Sequence, residues 1–450
     1  MSAQTITLIG AGLAGSLLAI FLARRGFHVD LYERRPDMRQ VDTSAGRSIN
    51  LAMSTRGIHA LQQVGLYDVV QALAIPMRGR VIHPLDGPLA FQAYGQDDTQ
   101  VLHAISRADL NKALMNAAEA HPGVRFFFAE QCRDFQVRTG ELTLYNTVHH
   151  TERVIQAHHV IGTDGSASAI RTSLLSVGRF NFSQDYIEHG YKELTIPPGP
   201  HGTFQLDKHA LHIWPRGTYM LIALPNLDGS FTCTLFLPFT GDYSFDSLSS
   251  PERVVAFFQQ QFPDAVPLLP QLVEEFFAHP TGALVTIKCF PWHVSDQVLL
   301  LGDAAHAIVP FYGQGMNCAF EDCTALDACM AQYAPDWQRV FHTFAHQRKE
   351  HTDAIADMAV SHFIEMRDRV ADAKFLLQKS LELELERRYP GVFVPQYSMV
   401  TFYRVPYAVA MRTGEKQEQI LHELCAPIDR LDDVDWDKAE RLITQHLRTT

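Results

Sequence analysis

The chain is poor in cysteine, with seven in 450 residues. That number is odd and too sparse for a disulfide framework, so a reducing compartment is expected. No uninterrupted apolar run reaches the roughly 18 residues that a membrane helix needs. The nearest candidate, Tyr219 to Phe239, is broken by Pro225, Asn226, Asp228 and Pro238 and reads as two strands around a turn. Positive charge is in deficit: 38 Lys+Arg stand against 50 Asp+Glu, a formal net charge of −12. A nucleic-acid binder needs a basic face to displace counterions from phosphate, so the balance argues against that class. Met1-Ser-Ala-Gln-Thr5 lacks the basic flank and apolar stretch of a signal peptide. Internal repeats and low-complexity tracts are missing too. What remains is an ordinary globular balance, 46% hydrophobic and 20% charged, in a chain long enough for two or three folding units. A cytoplasmic protein without a membrane anchor is expected.

The first 33 residues carry a clear local pattern. Thr5-Ile-Thr-Leu-Ile9 is a short β-rich run, followed at once by Gly10-Ala-Gly12-Leu-Ala-Gly15. Leu17, Leu18, Phe21 and Leu22 fall at helical spacing, Gly26 ends the helix, and His28 to Glu33 returns as a strand. This is a βαβ unit. Further on, Arg107 to Ala120 reads as a helix, Val124–Phe128 as a strand, and Glu141 to Ile161 as a hairpin running into a buried strand. From about Ser176 to Gly282, short β-like runs between Pro and Gly predict a mostly antiparallel sheet. Helical texture resumes at Gly315, dominates from Trp337 to Arg388 and stops at Pro390.

Three constellations carry chemistry. In the first, Gly10 makes a tight turn, Gly12 lets the backbone approach a pyrophosphate, and Gly15 lets helix and strand pack closely. The helix N–H groups and positive dipole end then face the phosphates. Glu33, 21 residues beyond Gly12, suits the ribose hydroxyls of an adenosine. The motif alone does not separate FAD from NAD. The second runs from the apolar strand Val298-Leu-Leu-Leu301 through Gly302-Asp303-Ala-Ala-His306 to Pro310-Phe-Tyr-Gly313-Gln-Gly315-Met-Asn317. Asp303 can accept hydrogen bonds from a ribityl chain, and the helix N-terminus beyond it can stabilise a reduced isoalloxazine. The third, Thr163-Asp164-Gly165, again follows a buried strand, though Asp-Gly is also a common turn.

The order of the three, at residues 10, 164 and 302, resembles the FAD-dependent aromatic hydroxylases over the first 330 residues. No second glycine fingerprint occurs, as expected where NAD(P)H docks transiently, so FAD is read as the resident cofactor. Further runs narrow the resemblance: Gly46-Arg-Ser-Ile-Asn50, Met77-Arg-Gly-Arg80, Gly190-Tyr-Lys-Glu-Leu194, Leu211-His-Ile-Trp-Pro215, Ile222 to Leu227, Pro310 to Asn317 and Tyr397 to Phe402. Spread over nearly the whole chain, these look like the kynurenine 3-monooxygenase family.

That resemblance implies hydroxylation of L-kynurenine to 3-hydroxy-L-kynurenine with NADPH and O2, through a flavin hydroperoxide. It implies Arg80, Tyr94 and Tyr397 at the substrate carboxylate, with His362, Glu365 and Met366 near the amino-acid end. Leu211, Ile213, Ile222, Leu224, Phe236 and Phe311 would wall the substrate ring. Cofactor contacts would come from Gly10, Gly12, Leu13, Ala14, Gly15, Glu33, Arg34, Arg107, Asp164, Gly302, Asp303, Gly315, Met316 and Asn317. The loop Pro310, Gly313, Gly315 would border the flavin, with no obligatory acid or base. One departure stands out: the family places Asn where this chain has His362, on a helix face with Ile355, Met358 and Ala359. The residues taken alone give blander alternatives. Arg80 by itself suits an ordinary ion pair, and the wall residues suit plain core packing.

The fold expected is α/β: a Rossmann-like FAD-binding domain (1–75, 101–175 and 283–335), an inserted β-sheet substrate domain (76–100 and 176–282) and a C-terminal helical cap (336–450). No metal site is expected. His342 and His346 are spaced like ligands but lack a third, and Cys318, Cys323 and Cys329 do not share a helix face. Two other readings stay open at this point, a flavin hydroxylase or oxidase of another aromatic acid and a non-catalytic binding protein on the same fold. A homodimer is also left open.

Overall fold

Burial on both faces is what a central parallel strand requires, and four of the five residues of Thr5–Ile9 are buried. The computed structural model describes residues 4–41, 50–97, 99–365 and 373–448. It divides into two compact units: Met1–Ala74, Ile105–Ile187 and Ala283–Ala356 form the first, and Ile75–Ala104, Glu188–Gly282 and Asp357–Thr450 the second.

In the first unit the strands run in the order Val298–Leu300, Val160–Gly162, Thr5–Ile9, His28–Glu33, Val124–Phe128, all parallel. A short antiparallel edge, His293–Val294, completes the sheet. Register pairs Ile9 with both Gly162 and Tyr32, so the sheet ends its central strands together at one edge. The turns after residues 9 and 162 therefore emerge side by side. Helix Leu13–Arg24 buries Leu17, Leu18, Phe21 and Leu22, the residues at helical spacing, and Gly26 follows it at φ +85°. Ile6, Leu8, Leu31, Ile161 and Leu299 are fully buried beside them, each contributing about 2 kcal/mol. The expected hairpin is present as Glu141–Asn146 paired antiparallel with Thr151–Gln156, leading into Val160–Gly162.

In the second unit the strand order is Asn181–Ile196, Phe231–Pro238, Met220–Pro225, Ala210–Pro215, Gly79–Ile82, Ala90–Ala93. Every pair is antiparallel except Ala210–Pro215 with Gly79–Ile82, which is parallel. Alternation gives this sheet two unlike faces. Leu194, Trp214, Leu221, Cys233 and Leu235 share one face, sealed by Phe257, Phe258 and Phe262 around helix Pro251–Gln261. The other face carries the residues of the candidate site. Helices Ala373–Arg388, Tyr407–Cys425 and Trp436–Leu447 bury Leu381, Leu385, Phe393, Ile420 and Ile443 against one another. Among the described residues no helix is long and apolar enough to cross a membrane.

Candidate functional site

The cofactor cradle lies in the first unit. Gly10 has φ +102°, and a Cβ there would stand 2.6 Å from the Thr163 carbonyl oxygen, so only glycine makes this turn. A Cβ on Gly15 would stand 2.0 Å from the Gly10 carbonyl oxygen, while the space beside Gly12 is open to 4 Å. The three glycines thus divide the work as the spacing suggests: turn, opening and close packing. Leu13 is buried and Ala14 half-buried in the following turn. Glu33 is buried, its Oε2 accepting from the Ala11 amide at 2.9 Å and its Oε1 from the Arg35 amide at 3.0 Å. Oε1 also accepts from Arg35 Nε at 2.8 Å, so Oε2 is the oxygen that keeps a lone pair for a ribose hydroxyl.

Thr163 Oγ1 donates to the Ile9 and Gly10 carbonyls, stitching the second turn to the first. Asp164 Oδ2 caps the following helix through the amides of Ala169 and Ile170, and Oδ1 is buried without a hydrogen-bond partner. Burial raises the Asp164 pKa, only partly offset by hydrogen bonds from Ser168 and those amides. Gly302, at φ +64°, turns the chain into Asp303, whose partly exposed carboxylate has no partner among the described residues. Pro310–Tyr312 is a short 3₁₀ turn closed by Gly313 at φ +67°, and helix Gly315–Tyr333 begins two residues on. Asn317 holds that loop: its Nδ2 donates to the Gly313 and Ala52 carbonyls, and its Oδ1 accepts from the Ser54 amide. Its side chain therefore shapes the loop. Met316 and Phe311 are buried, whereas Arg34 and Arg107 are exposed, Arg107 in the first turn of helix Arg107–Glu119. An open glycine turn, an acid for the ribose, an orphaned buried carboxylate oxygen and a partnerless Asp303 together fit FAD.

The second cluster lies in the second unit. Register places Arg80 beside Leu211, Ile213 beside Ile222, and Ile222 beside Thr234. Alternation then puts Arg80, Leu211, Ile213, Ile222, Leu224 and Phe236 on one sheet face, opposite the aromatic core. Arg80 is buried between two phenol rings, its Cζ 5.4 Å from the Tyr94 centroid and 5.3 Å from that of Tyr397. Its Nη2 lies 3.3 Å from His362 Nε2, and its Nε is buried without a partner. Since a guanidinium only donates, His362 Nε2 must be the bare nitrogen, which puts the ring proton on Nδ1, 3.8 Å from Glu365 Oε1. Burial pushes the His362 pKa down to about 4, with Arg80 and Lys379 adding to the effect. Burial also works against the charge on Glu365, but Lys379, His362 and Arg80 outweigh it and keep the carboxylate ionised. The cluster therefore offers a cation and an anion on either side of a neutral imidazole. Met366 lies outside the described residues, as do residues 46–49 of the Gly46 run.

A family model described as FAD binding domain matches residues 3–191 and 290–359. Kynurenine 3-monooxygenase of Myxococcus xanthus (strain DK1622) is 55% identical over 444 residues, covering 99% of this chain and 96% of that one. The chain belongs to the kynurenine 3-monooxygenase family. A kynurenine 3-monooxygenase from Dictyostelium discoideum is 44% identical over 458 residues, covering 99% of this chain and 98% of that protein. The tetrameric form of 2-methyl-3-hydroxypyridine-5-carboxylic acid oxygenase aligns over 92% of this chain and 97% of its own. Its TM-score of 0.66 at 19% identity shows a shared fold.

For this kynurenine 3-monooxygenase family member, the sequence reading passed over several buried charges that support the cradle. Asp322, fully buried, accepts from the Gly302 amide at 3.1 Å, His306 Nε2 at 2.6 Å and Arg348 Nε at 2.7 Å. Glu321 bridges Arg56 and Arg348. A neighbouring Glu-Asp pair directly after the apolar run Cys318-Ala-Phe320 is the signal that could have revealed them. Breaking such a buried pair costs about 3–5 kcal/mol. His306, Cys318 and Asp322 also bring ligand-type atoms within 4.8 Å of one another, but the Arg348 guanidinium already supplies the cation there. Lys379 was missed as well, its Nζ 3.5 Å from Glu365 and 3.1 Å from Glu382.

Proposed function

We propose that the chain converts L-kynurenine, NADPH, a proton and O2 into 3-hydroxy-L-kynurenine, NADP+ and water, with FAD as resident cofactor. One observation carries the choice of substrate: Arg80, with a buried unpartnered Nε, and the ionised Glu365 share one cluster. This opposed pair suits the carboxylate and ammonium of an amino acid, and the apolar sheet face beside Arg80 suits its aromatic ring. When bound, FAD would supply the redox chemistry, with NADPH as the two-electron donor and O2 as the source of the one oxygen atom added to the substrate ring, the other leaving as water.

The chain's residues bind, orient and exclude water. Glu33 accepts from the ribose hydroxyls and the Gly12 turn leaves room for the pyrophosphate. Asp303 accepts from the ribityl chain, and the loop from Pro310 to Gly315 borders the reacting ring. Asp164 caps the helix that follows its own turn through the amides of Ala169 and Ile170. Arg80 grips the substrate carboxylate between Tyr94 and Tyr397. Leu211, Ile213, Ile222, Leu224 and Phe236 wall the ring and keep water away. The substrate's own aniline amine activates the neighbouring ring carbon, so no side chain serves as obligatory base. The seven cysteines are free and buried, which supports a cytoplasmic setting.

Kynurenine analogues lacking the carboxylate or the amine test the reading. Loss of the carboxylate should raise KM about 100-fold, because a buried guanidinium is left unpaired. Equal KM values for all three compounds would remove the cluster from substrate recognition.

A further inference from the structure

On the aromatic-core face of the second unit's sheet, two buried histidines touch each other. His83 follows directly on strand Gly79–Ile82, and His212 sits in Ala210–Pro215, paired with Val81. His83 Nδ1 donates to Asp264 Oδ2 at 2.7 Å. His83 Nε2 and His212 Nδ1 are 3.0 Å apart, and His212 Nε2 donates to the Asp207 carbonyl at 2.9 Å. Trp214 Nε1 donates to both Asp264 oxygens, and its ring stacks on His83 at 4.0 Å.

Both ends of this chain of hydrogen bonds are acceptors, a carboxylate and a carbonyl. Three hydrogen bonds need three protons, yet two neutral imidazoles carry only two. We propose that His83, His212 and Asp264 form a three-proton unit, one imidazolium paired with one carboxylate, that positions the strand carrying Arg80. The extra proton belongs to the pair, and the contacts put it on His83, beside Asp264. His212 then uses Nδ1 as acceptor and Nε2 as donor. Burial and the charge on His83 push the His212 pKa down to about 4. Burial works to raise the Asp264 pKa, but hydrogen bonds from His83 and Trp214 outweigh it and hold the carboxyl below its ordinary value.

The charged groups facing the pair are Asp264, half exposed after helix Pro251–Gln261, Asp207, and Arg216, whose Nη1 donates to the His83 carbonyl at 2.9 Å. The His83 amide also donates to the Ile213 carbonyl at 2.8 Å, extending the strand pairing beyond Ile82. Arg80 stands three residues upstream, beside Leu211. Without the third proton, one lone pair must face another at one of the three contacts, and the strand end loses a hydrogen bond. His83, His212 and Asp264 are positioning residues: they act on substrate through Arg80. That half of the proposal rests on Arg80 binding the substrate carboxylate.

The test uses full-length, FAD-loaded protein with ¹⁵N-labelled histidine rings at about pH 7. Three of the four ring nitrogens should carry protons, with His212 Nδ1 the bare one. Two bare nitrogens would overturn the three-proton unit, and this readout needs neither turnover nor a variant. Asp264→Asn should release the third proton and raise KM for kynurenine about fivefold, the effect of one net hydrogen bond, with kcat and FAD content unchanged. An unchanged KM in a variant that has lost the proton would overturn the positioning role. If the unmodified protein does not turn over kynurenine at all, the substrate reading fails, while the proton count is still decided by the ring nitrogens.

Discussion

The candidate cofactor cradle and the candidate substrate cluster are built from different materials. The cradle is made mainly by backbone: three glycines and two left-handed turns open a space, Asp322 supports the frame between Gly302, His306 and Arg348, and Glu33 and the unpartnered Asp164 Oδ1 are charged groups left for a ligand. The substrate cluster is made by side chains, and its central charge is left partly unsatisfied at Arg80 Nε. A phosphate-bearing cofactor is met by amides and a helix dipole, which any sequence can supply once glycine permits the approach. An aromatic amino acid offers two opposite charges beside its ring, so the protein must hold opposite charges in store. Substitutions in the cradle should therefore act through geometry, and substitutions in the cluster through charge.

Four changes would break or sharpen that contrast. Gly15→Ala should have the largest effect, because its methyl would lie 2.0 Å from the Gly10 carbonyl oxygen. The purified variant should lose its yellow colour, and Gly12→Ala, which enters open space, should weaken FAD while leaving the unfolding temperature unchanged. A Gly15→Ala protein that stays yellow would refute the packing argument. Next, Arg80→Ala should raise KM for kynurenine about 100-fold with FAD content unaltered, as expected for losing a charge-assisted contact in a buried site. Glu33→Ala should weaken FAD retention about tenfold, a smaller effect because the ribose hydroxyls can turn to water. Full retention of flavin after dialysis would remove Glu33 from the ribose.

The smallest effect concerns pH. Burial opposes charge on His306, but Asp322 and Cys318 outweigh it and push its pKa up to about 10. A group raised above its unfolded value of about 6.5 stabilises fully below that pH and stops doing so as pH rises through about 10. The unfolding temperature should decline over that alkaline window, and His306→Gln should flatten the decline. Asp322, held below its ordinary value, adds a separate loss in acid. A midpoint that is level from about pH 7 to 10 in the unmodified protein would contradict the charged His306–Asp322 pair.

How much could be read in advance follows from the same contrast. Gly10, Gly12, Gly15 and Glu33 sit within one βαβ unit, so local spacing sufficed to read turn, opening and packing and to mark Glu33 as the candidate acid. The α/β class followed from the same strands and from the Pro- and Gly-punctuated stretch after Ser176. The substrate cluster joins residues 80, 94, 362, 365 and 397 through sheet register and helix packing, which no local period encodes. Only family resemblance brought those positions together. Asp322 and Glu321 escaped notice because acids on a helix usually face water, and their partners Arg56 and Arg348 are 266 and 26 residues away from Asp322. His83, His212 and Asp264 escaped for the same reason, since nothing in the chain marks two distant histidines as neighbours.

The most direct measurement is the mass of the product after FAD-loaded protein meets NADPH, L-kynurenine and isotopically labelled O2. The account predicts hydroxykynurenine carrying one labelled oxygen atom, with NADPH consumed in step. NADPH consumption that yields only peroxide, with kynurenine returned unchanged, would contradict it.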